Sequence, residues 1–316
     1  MTVAWLDTVH DVLRERLQEA GMTCVDATGV SRHELLAGAG RHWQGIVVRS
    51  RISLDREALD ALPGLRFIAR SGSGLENIDV AAAAERGVQV FNSPEGNRDA
   101  VAEHAMAFVL SMLTRLPEAD RSVRDGRWER EAHRGRELGN RTVAVFGFGH
   151  TGEAFARRLR CFGCQILAVD PYRPDAAEAA EATGARLVDA ATALQAADII
   201  SLHLPLTPET HGLVDAAWLD QIRPGTLLIN TSLGPIVSTA ALLDALDTGK
   251  LSGAALDVLE FEESSLEAIR GGSTTYERLL RHPDVLLSPH VAGWTVESYI
   301  RLSSVLADKI LTAFPQ

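Results

Sequence analysis

The chain of 316 residues predicts an α/β protein built from two doubly wound parallel-sheet domains. Three observations lead there. Short apolar runs alternate with helix-period segments along most of the sequence. A strand, glycine turn, helix and second strand follow one another between residues 142 and 170. A separate alternating series lies before residue 98.

The length supports two hydrophobic cores. A hydrophobic content of 46% with 23% charged residues is that of an ordinary globular protein. The net charge of −11 argues against a nucleic-acid surface, and no basic run is interleaved with aromatics. An anionic ligand must therefore be drawn in by a local arginine cluster, not by the overall field. No apolar run approaches membrane-spanning length, and Met1–Asp7 lacks a basic stretch followed by an apolar one. The expectation is a cytoplasmic protein without nucleic-acid or membrane partners.

In the first series, Val3–Leu6, Gly45–Val48, Leu65–Ala69 and Val88–Phe91 read as strands, with helical segments at Asp7–Ala20 and Asp55–Ala61 between them. A long helix is expected from near Asp99, with Ala102, Ala105, Met106, Val109, Leu110 and Leu113 as its apolar stripe. A polar, arginine-rich connection, Arg121 to Glu137, follows it. Further strands are expected at Ile199–Leu202, Thr226–Ile229, Ala254–Leu256 and Val285–Leu287. A last helix from about Thr295 could return to the first domain. The expected division is residues 1–98 with 291–316 as a substrate domain and 99–290 as an inserted nucleotide domain. A cleft between the two would be the natural place for chemistry.

Within the insert, Thr142–Phe146 is strand-like, Glu153–Leu159 helical, and Gln165–Val169 a strand ending on Asp170. Between the first two stands Gly147-Phe148-Gly149-His150-Thr151-Gly152. Gly147 permits a sharp turn, Gly149 lets backbone approach a pyrophosphate, and Gly152 lets helix and strand lie close. The helix start offers N–H groups and the positive end of its dipole to phosphates. A carboxylate at Asp170 can accept both hydroxyls of an adenosine ribose and would repel a 2′-phosphate. This is a Rossmann arrangement, and it favours NAD over NADP, although Arg173 nearby works against that preference.

Cys161 and Cys164 form a C-x-x-C beside Gly163, and Cys24 stands alone. No second pair completes a zinc site, so packing at a helix end is expected and no metal.

Several segments resemble one family. They are Ala69-Arg70-Ser71-Gly72-Ser73-Gly74-Leu75-Glu76-Asn77-Ile78-Asp79, Asn92-Ser93-Pro94-Glu95-Gly96-Asn97, Val101-Ala102-Glu103-His104 and Asp125-Gly126-Arg127-Trp128. After the glycine turn come His203-Leu204-Pro205-Leu206-Thr207-Pro208-Glu209-Thr210, Ala254–Val258 and Ser288-Pro289-His290. In this order, over nearly the whole chain, they resemble the D-isomer-specific 2-hydroxyacid dehydrogenases, with a flavour of the phosphoglycerate dehydrogenase branch. The resemblance implies a flavodoxin-like substrate domain around the nucleotide domain, NAD as cofactor, and a small anionic substrate interconverted between 2-hydroxy and 2-keto acid. It also implies a homodimer formed through the long helix and the Arg121 to Glu137 arm. With no C-terminal regulatory domain following, the chain would be a minimal catalytic body.

The same resemblance implies roles for individual residues. His290 would carry the hydroxyl proton, and Glu262, five residues after Asp257, would be its partner. Glu260 and Glu263 are alternatives for that pairing. Asp257 would face the nicotinamide carboxamide. Arg49, Arg70 and the backbone at Ser73 and Gly74 would meet the substrate carboxylate, with Arg130 a further anion contact. Beyond Gly147, Gly149, His150, Thr151, Gly152 and Asp170, the cofactor residues would include His203, Leu204, Pro205, Thr231, Ser232, Leu233, Asp257, His290 and Gly293.

One position departs from the pattern. The family carries a carboxylate-clamping arginine in an Asn-(Thr/Cys)-(Ser/Ala)-Arg-Gly turn, and here the turn reads Asn230-Thr231-Ser232-Leu233-Gly234. Leucine has neither charge nor donor, and loss of a bidentate cation is expected to cost roughly 100-fold or more in rate. An NAD-dependent oxidoreductase with an altered substrate, and a catalytically silent NAD-binding regulatory or scaffold protein, both stay open. A second departure is the absence of proline after Glu262 and an insertion rich in Gly271-Gly272-Ser273-Thr274.

Overall fold

The computed structural model describes residues 1–263 and 268–315. In chain order the first elements are β1 (Thr2–Trp5), α1 (Val12–Glu19), β2 (Thr23–Asp26), α2 (Arg32–Leu36) and β3 (Gly45–Val48). They continue as α3 (Arg56–Asp60), β4 (Phe67–Arg70), α4 (Val80–Glu85), β5 (Gln89–Asn92), α5 (Pro94–Thr114) and α6 (Leu116–Arg124). Then come β6 (Thr142–Phe146), α7 (His150–Leu159), β7 (Gln165–Val169), α8 (Ala176–Thr183), β8 (Arg186–Leu187), α9 (Ala190–Ala196) and β9 (Ile199–Leu202). The last are α10 (Ala216–Asp220), β10 (Thr226–Asn230), α11 (Thr239–Asp247), β11 (Leu251–Leu256), α12 (Thr274–Arg281), β12 (Val285–Leu287) and α13 (Val296–Ala313).

Two compact units result. The smaller comprises Met1–Arg98, Glu263–Ala268 and Trp294–Gln316, and the larger Asp99–Glu262 with Ile269–Gly293.

In the smaller unit five parallel strands run in the order β2-β1-β3-β4-β5. Parallel strands need crossovers, so both faces are covered and the strands read as near-continuous apolar runs. Alternate residues of β1 illustrate it. Ala4 joins a cluster with Ile46, Val48 and Ile68, whereas Val3 and Trp5 join Val47, Phe67 and Ala69 on the other face. Helix α13 supplies Leu306, Ala307 and Ile310 to that second face. Thr295 caps α13 by accepting Ser298 N–H at 3.0 Å, and Ser298 returns the favour at Thr295 N–H.

The larger unit holds a seven-stranded parallel sheet, β12-β11-β10-β9-β6-β7-β8. Strand order reverses direction between β6 and β9, the topological switch point at which open α/β sheets bind ligands. Both faces are again apolar: Ala144 and Phe146 pack with Leu228 and Leu256 on one side, Val143 and Val145 with Phe155 and Ile229 on the other.

Helix α5 starts five residues earlier than the apolar stripe predicts. Pro94 occupies its first position, where a missing N–H costs nothing, and the polar first turn (Glu95, Asn97, Arg98) hides the start from a periodicity count. The insertion after Glu262 also has a local purpose, because Ser273 accepts Tyr276 N–H at 3.1 Å and so caps α12.

Candidate active site

The glycine turn follows β6 at the switch point. Gly147 has φ +84°, and a Cβ there would sit 2.3 Å from the His203 carbonyl that follows β9. A Cβ on Gly152 would lie 2.0 Å from the Gly147 carbonyl, so only hydrogen lets α7 seat against the turn. At Gly149, by contrast, a Cβ would meet nothing within 4 Å. Gly149 is the N-cap of α7 and no side chain caps that helix, so its first-turn N–H groups have no side-chain acceptor from the cap. His150 is exposed and Thr151 half-buried at this start. This opening fits a pyrophosphate.

Asp170 lies just past β7. Its Oδ2 accepts Phe148 N–H at 2.9 Å, while Oδ1 accepts Tyr172 N–H at 3.1 Å and Arg173 N–H at 3.0 Å. The carboxylate is thus oriented by backbone, with about one of its four acceptor positions left over. Arg173, a potential 2′-phosphate contact, is held elsewhere. It grips Asp175 with two parallel bonds of 2.9 Å and reaches the Phe148 carbonyl at 2.5 Å and Glu153 at 3.1 Å. These partners raise its already high pKa further.

Across the switch point, burial pushes the His203 imidazole down to about 3, so the ring is neutral. Its Nε2 lies 2.9 Å from Ser201 Oγ. Leu204 and Pro205 continue from it. At the end of β10, the buried Thr231 Oγ1 has no protein partner among the described residues, a polar atom suited to a bound ligand.

Asn230 organises the next turn. Its Oδ1 accepts Ser232 N–H at 3.0 Å and Ser232 Oγ–H at 2.8 Å, and its Nδ2 donates to the Leu233 carbonyl at 3.2 Å. Leu233 is extended and half-buried, packed against the core cluster that includes Leu256 and Leu259. Gly234 cannot carry a side chain, since its Cβ would fall 2.0 Å from the Leu259 carbonyl. The sequence assigns no role to Asn230; an asparagine two residues before Ser232, in position for an Asx-type turn, was the available signal.

His290 and Glu262 meet: Nδ1 lies 2.6 Å from Oε2. Glu262 Oε1 accepts Leu259 N–H at 2.5 Å, which fixes the carboxylate. Of the alternatives, Glu260 caps elsewhere by accepting Thr239 N–H at 2.9 Å, and Glu263 lies in the smaller unit. His290 has φ +53°, an uncommon conformation for a residue with a Cβ, costing about 1–3 kcal/mol that the surroundings must offset. Asp257, 2% exposed, accepts Val291 N–H at 2.9 Å and Ala292 N–H at 2.8 Å. Gly293 follows directly.

The smaller unit contains the remaining candidates. Arg49 places its guanidinium carbon 4.3 Å from the Trp294 ring centre. Arg70 donates from Nη1 to the Ser71 carbonyl at 3.2 Å, and its buried Nε has no partner among the described residues. Burial lowers its pKa, which the Glu76 carboxylate partly restores. Ser73 Oγ donates to Asn97 at 2.7 Å, and the Ser73 carbonyl accepts Asn92 Nδ2–H at 2.6 Å. Gly74 is crowded by Glu76, whose carboxylate would lie 2.2 Å from a Cβ. In the larger unit, Arg130 is exposed before a single 3₁₀ turn.

Cys161 is exposed and Cys164 half-buried, both as free thiols, and burial raises the Cys164 pKa. No cluster of three metal-ligating side chains occurs among the described residues, and no helix there is long and apolar enough to cross a membrane.

Comparison with known proteins places this geometry in context. Residues 106–292 match the model of the D-isomer specific 2-hydroxyacid dehydrogenase NAD-binding domain. The D-3-phosphoglycerate dehydrogenase of Archaeoglobus fulgidus is 36% identical over 311 residues, 98% of this chain and 57% of that protein. The D-3-phosphoglycerate dehydrogenase of Mycobacterium tuberculosis (H37Rv) is 38% identical over 285 residues, 90% of this chain and 52% of that protein. The chain thus spans about half the length of the curated relatives it matches. Among solved structures, D-lactate dehydrogenase from Aquifex aeolicus complexed with NAD and lactic acid is similar at a TM-score of 0.82 and 28% identity. It covers 99% of this chain and 95% of its own.

Proposed function

Because the chain belongs to the D-isomer specific 2-hydroxyacid dehydrogenase family, we propose that it moves a hydride between NAD(H) and a 2-hydroxy or 2-oxo acid whose recognition differs from the family's usual mode. The single observation that carries this is the 2.6 Å pairing of His290 Nδ1 with Glu262 Oε2, in the same unit as the glycine turn.

The pairing sets the proton chemistry. With Nδ1–H donated to Glu262, the neutral ring presents its acceptor lone pair at Nε2. In the oxidative direction Nε2 takes the C2 hydroxyl proton as the C–O bond becomes a carbonyl; in reduction the imidazolium returns it. NAD, when bound, supplies the acceptor for the hydride leaving C2. Gly147, Gly149, His150, Thr151 and Gly152 are proposed to hold its pyrophosphate, and Asp170 the adenosine ribose. His203, Leu204, Pro205, Thr231, Ser232, Leu233, Gly293 and the remaining acceptor position of Asp257 would line the rest.

Leu233 stands where the family resemblance leads one to expect an arginine, so the proposed substrate presents an apolar group there or has its carboxylate caught by other cations. Arg49 and Arg70, with the backbone at Ser73 and Gly74, are the proposed anion contacts. A homodimer through the long helix α5 and the Arg121 to Glu137 arm is also proposed; Leu116, just past α5, and Val123 and Trp128 in the arm all expose large apolar surface.

The test is a panel of 2-oxo acids of increasing side-chain size, offered to purified protein with NADH while the reduced-nicotinamide absorbance is followed. Oxidation of NADH with at least one member is expected. Saturable NADH binding without oxidation by any member would instead favour a catalytically silent NAD-binding protein, the reading that Leu233 itself recommends. Failure to bind NADH would remove both.

A further inference from the structure

Asp257 does more than end β11. Its carbonyl accepts His290 N–H at 2.8 Å, and its carboxylate accepts the next two amides, Val291 and Ala292. One residue therefore holds the main chain on both sides of the left-handed His290. The carboxylate is held in turn, because Ser288 Oγ donates to its Oδ1 at 2.5 Å.

A serine hydroxyl owns one hydrogen. Ser288 gives it to Asp257, so toward His104 Nε2, 3.0 Å away, the hydroxyl oxygen can only accept. His104 must then carry its hydrogen on Nε2. Its ring is steadied edge-on by Phe108, one turn further along α5, with ring centres 4.5 Å apart. A directed chain results: His104 Nε2–H to Ser288 Oγ–H to the Asp257 carboxylate, all inside the larger unit.

We propose that His104 and Ser288 are positioning residues, which fix the Asp257 carboxylate and through it the backbone that aims the His290 ring at Glu262. Neither touches the reacting atoms. The catalytic meaning of the chain rests on His290 as proton carrier; its hold on the turn does not.

The experiment separates the two. In cofactor-free protein, amide hydrogen exchange is measured at Val291 and Ala292, with Val143–Val145 of β6 as internal reference. His104→Leu and Ser288→Ala are expected to speed exchange at 291 and 292 by about 10-fold or more while β6 is unchanged. His104→Gln, which keeps a donor, and Ser288→Thr, which keeps the hydroxyl, are expected to stay near wild type. Where turnover is measurable, His104→Leu should lower kcat about 10-fold with the NADH Kd changed less than about 2-fold. Unchanged exchange at 291 and 292 in His104→Leu overturns the proposal. So does equal acceleration in His104→Leu and His104→Gln that extends to β6, which would mark the ring as packing alone. If the wild-type protein reduces no 2-oxo acid, the proton-carrier role of His290 fails while the exchange result still decides the positioning.

Discussion

Glu262 is gripped from both sides: Oε2 lies 2.6 Å from His290 Nδ1, and Oε1 accepts the Leu259 amide at 2.5 Å. A carboxylate held by backbone cannot follow a wandering imidazole, so it selects one ring orientation and one tautomer. His290→Ala is expected to lower kcat by about 10²–10⁴. Glu262→Gln, which keeps the volume but loses the charge-assisted bond, should cost less, about 10–100-fold, mainly in kcat. Steady-state kinetics on the best substrate of the panel checks both. Equal kcat for wild type and Glu262→Gln would remove the orienting role.

Leu233→Arg should create what the turn lacks. If the absent guanidinium alone limits use of small 2-oxo acids such as glyoxylate or pyruvate, the variant gains roughly 100-fold in kcat/KM on them. Activity on larger apolar substrates should fall at the same time. No gain on any small 2-oxo acid would show that carboxylate recognition had moved elsewhere in the protein.

Cofactor choice should be strongly one-sided. In the proposed ribose position Asp170 would repel a 2′-phosphate, and Arg173 is held by Asp175, Glu153 and the Phe148 carbonyl. NADH is expected to bind at least about 100-fold tighter than NADPH, about 2.7 kcal/mol. Releasing Arg173 with Asp175→Ala and Glu153→Gln should leave this preference largely intact. Adding Asp170→Ser should collapse it, as read by nucleotide fluorescence titration. Tight NADPH binding to the wild type would contradict the repulsion assigned to Asp170.

Acid should destabilise the fold partly through His203. In the native state burial holds this imidazole down to about 3, against 6.5 for the ordinary group. Below about pH 6.5 the unfolded chain therefore binds a proton that the native state refuses. The stabilisation is complete above that pH and is lost as pH falls toward the native value, at about 1.4 kcal/mol per pH unit. Between about pH 6.5 and 5 the loss is about 2 kcal/mol. Denaturant unfolding at several pH values should show a shallower acid limb for His203→Gln by that amount. Parallel limbs would mean that the ring is not kept neutral.

Much of this was legible in the sequence, and the boundary is physical. The glycine turn, its flanking strands and Asp170 are short-range features, each residue within one βαβ unit of the next, and the structure arranges them as a dinucleotide turn. The family resemblance, through the five-residue spacing from Asp257, marked Glu262, the carboxylate found beside His290, where Glu260 and Glu263 were also near in sequence. What escaped were contacts set by distant partners or by polar turns. The first turn of α5 lacks an apolar stripe, so its start at Pro94 was invisible. Arg173 looked like a cation for a phosphate until Glu153, twenty residues away, was seen to hold it. His104 and Ser288 are 184 residues apart, and nothing local links them.

The turn after β10 owes its shape to the side chain of Asn230, which binds Ser232 and the Leu233 carbonyl but not the Leu233 side chain. Scaffold and occupant are therefore separable at this point: whatever residue stands at 233 inherits a ready-made bend. An ancestor could exchange a guanidinium for an isobutyl group in one step without refolding the loop, and the step can be reversed as readily. If residue 233 meets the substrate as proposed, the substrate repertoire can drift at a single codon while the architecture stays constant.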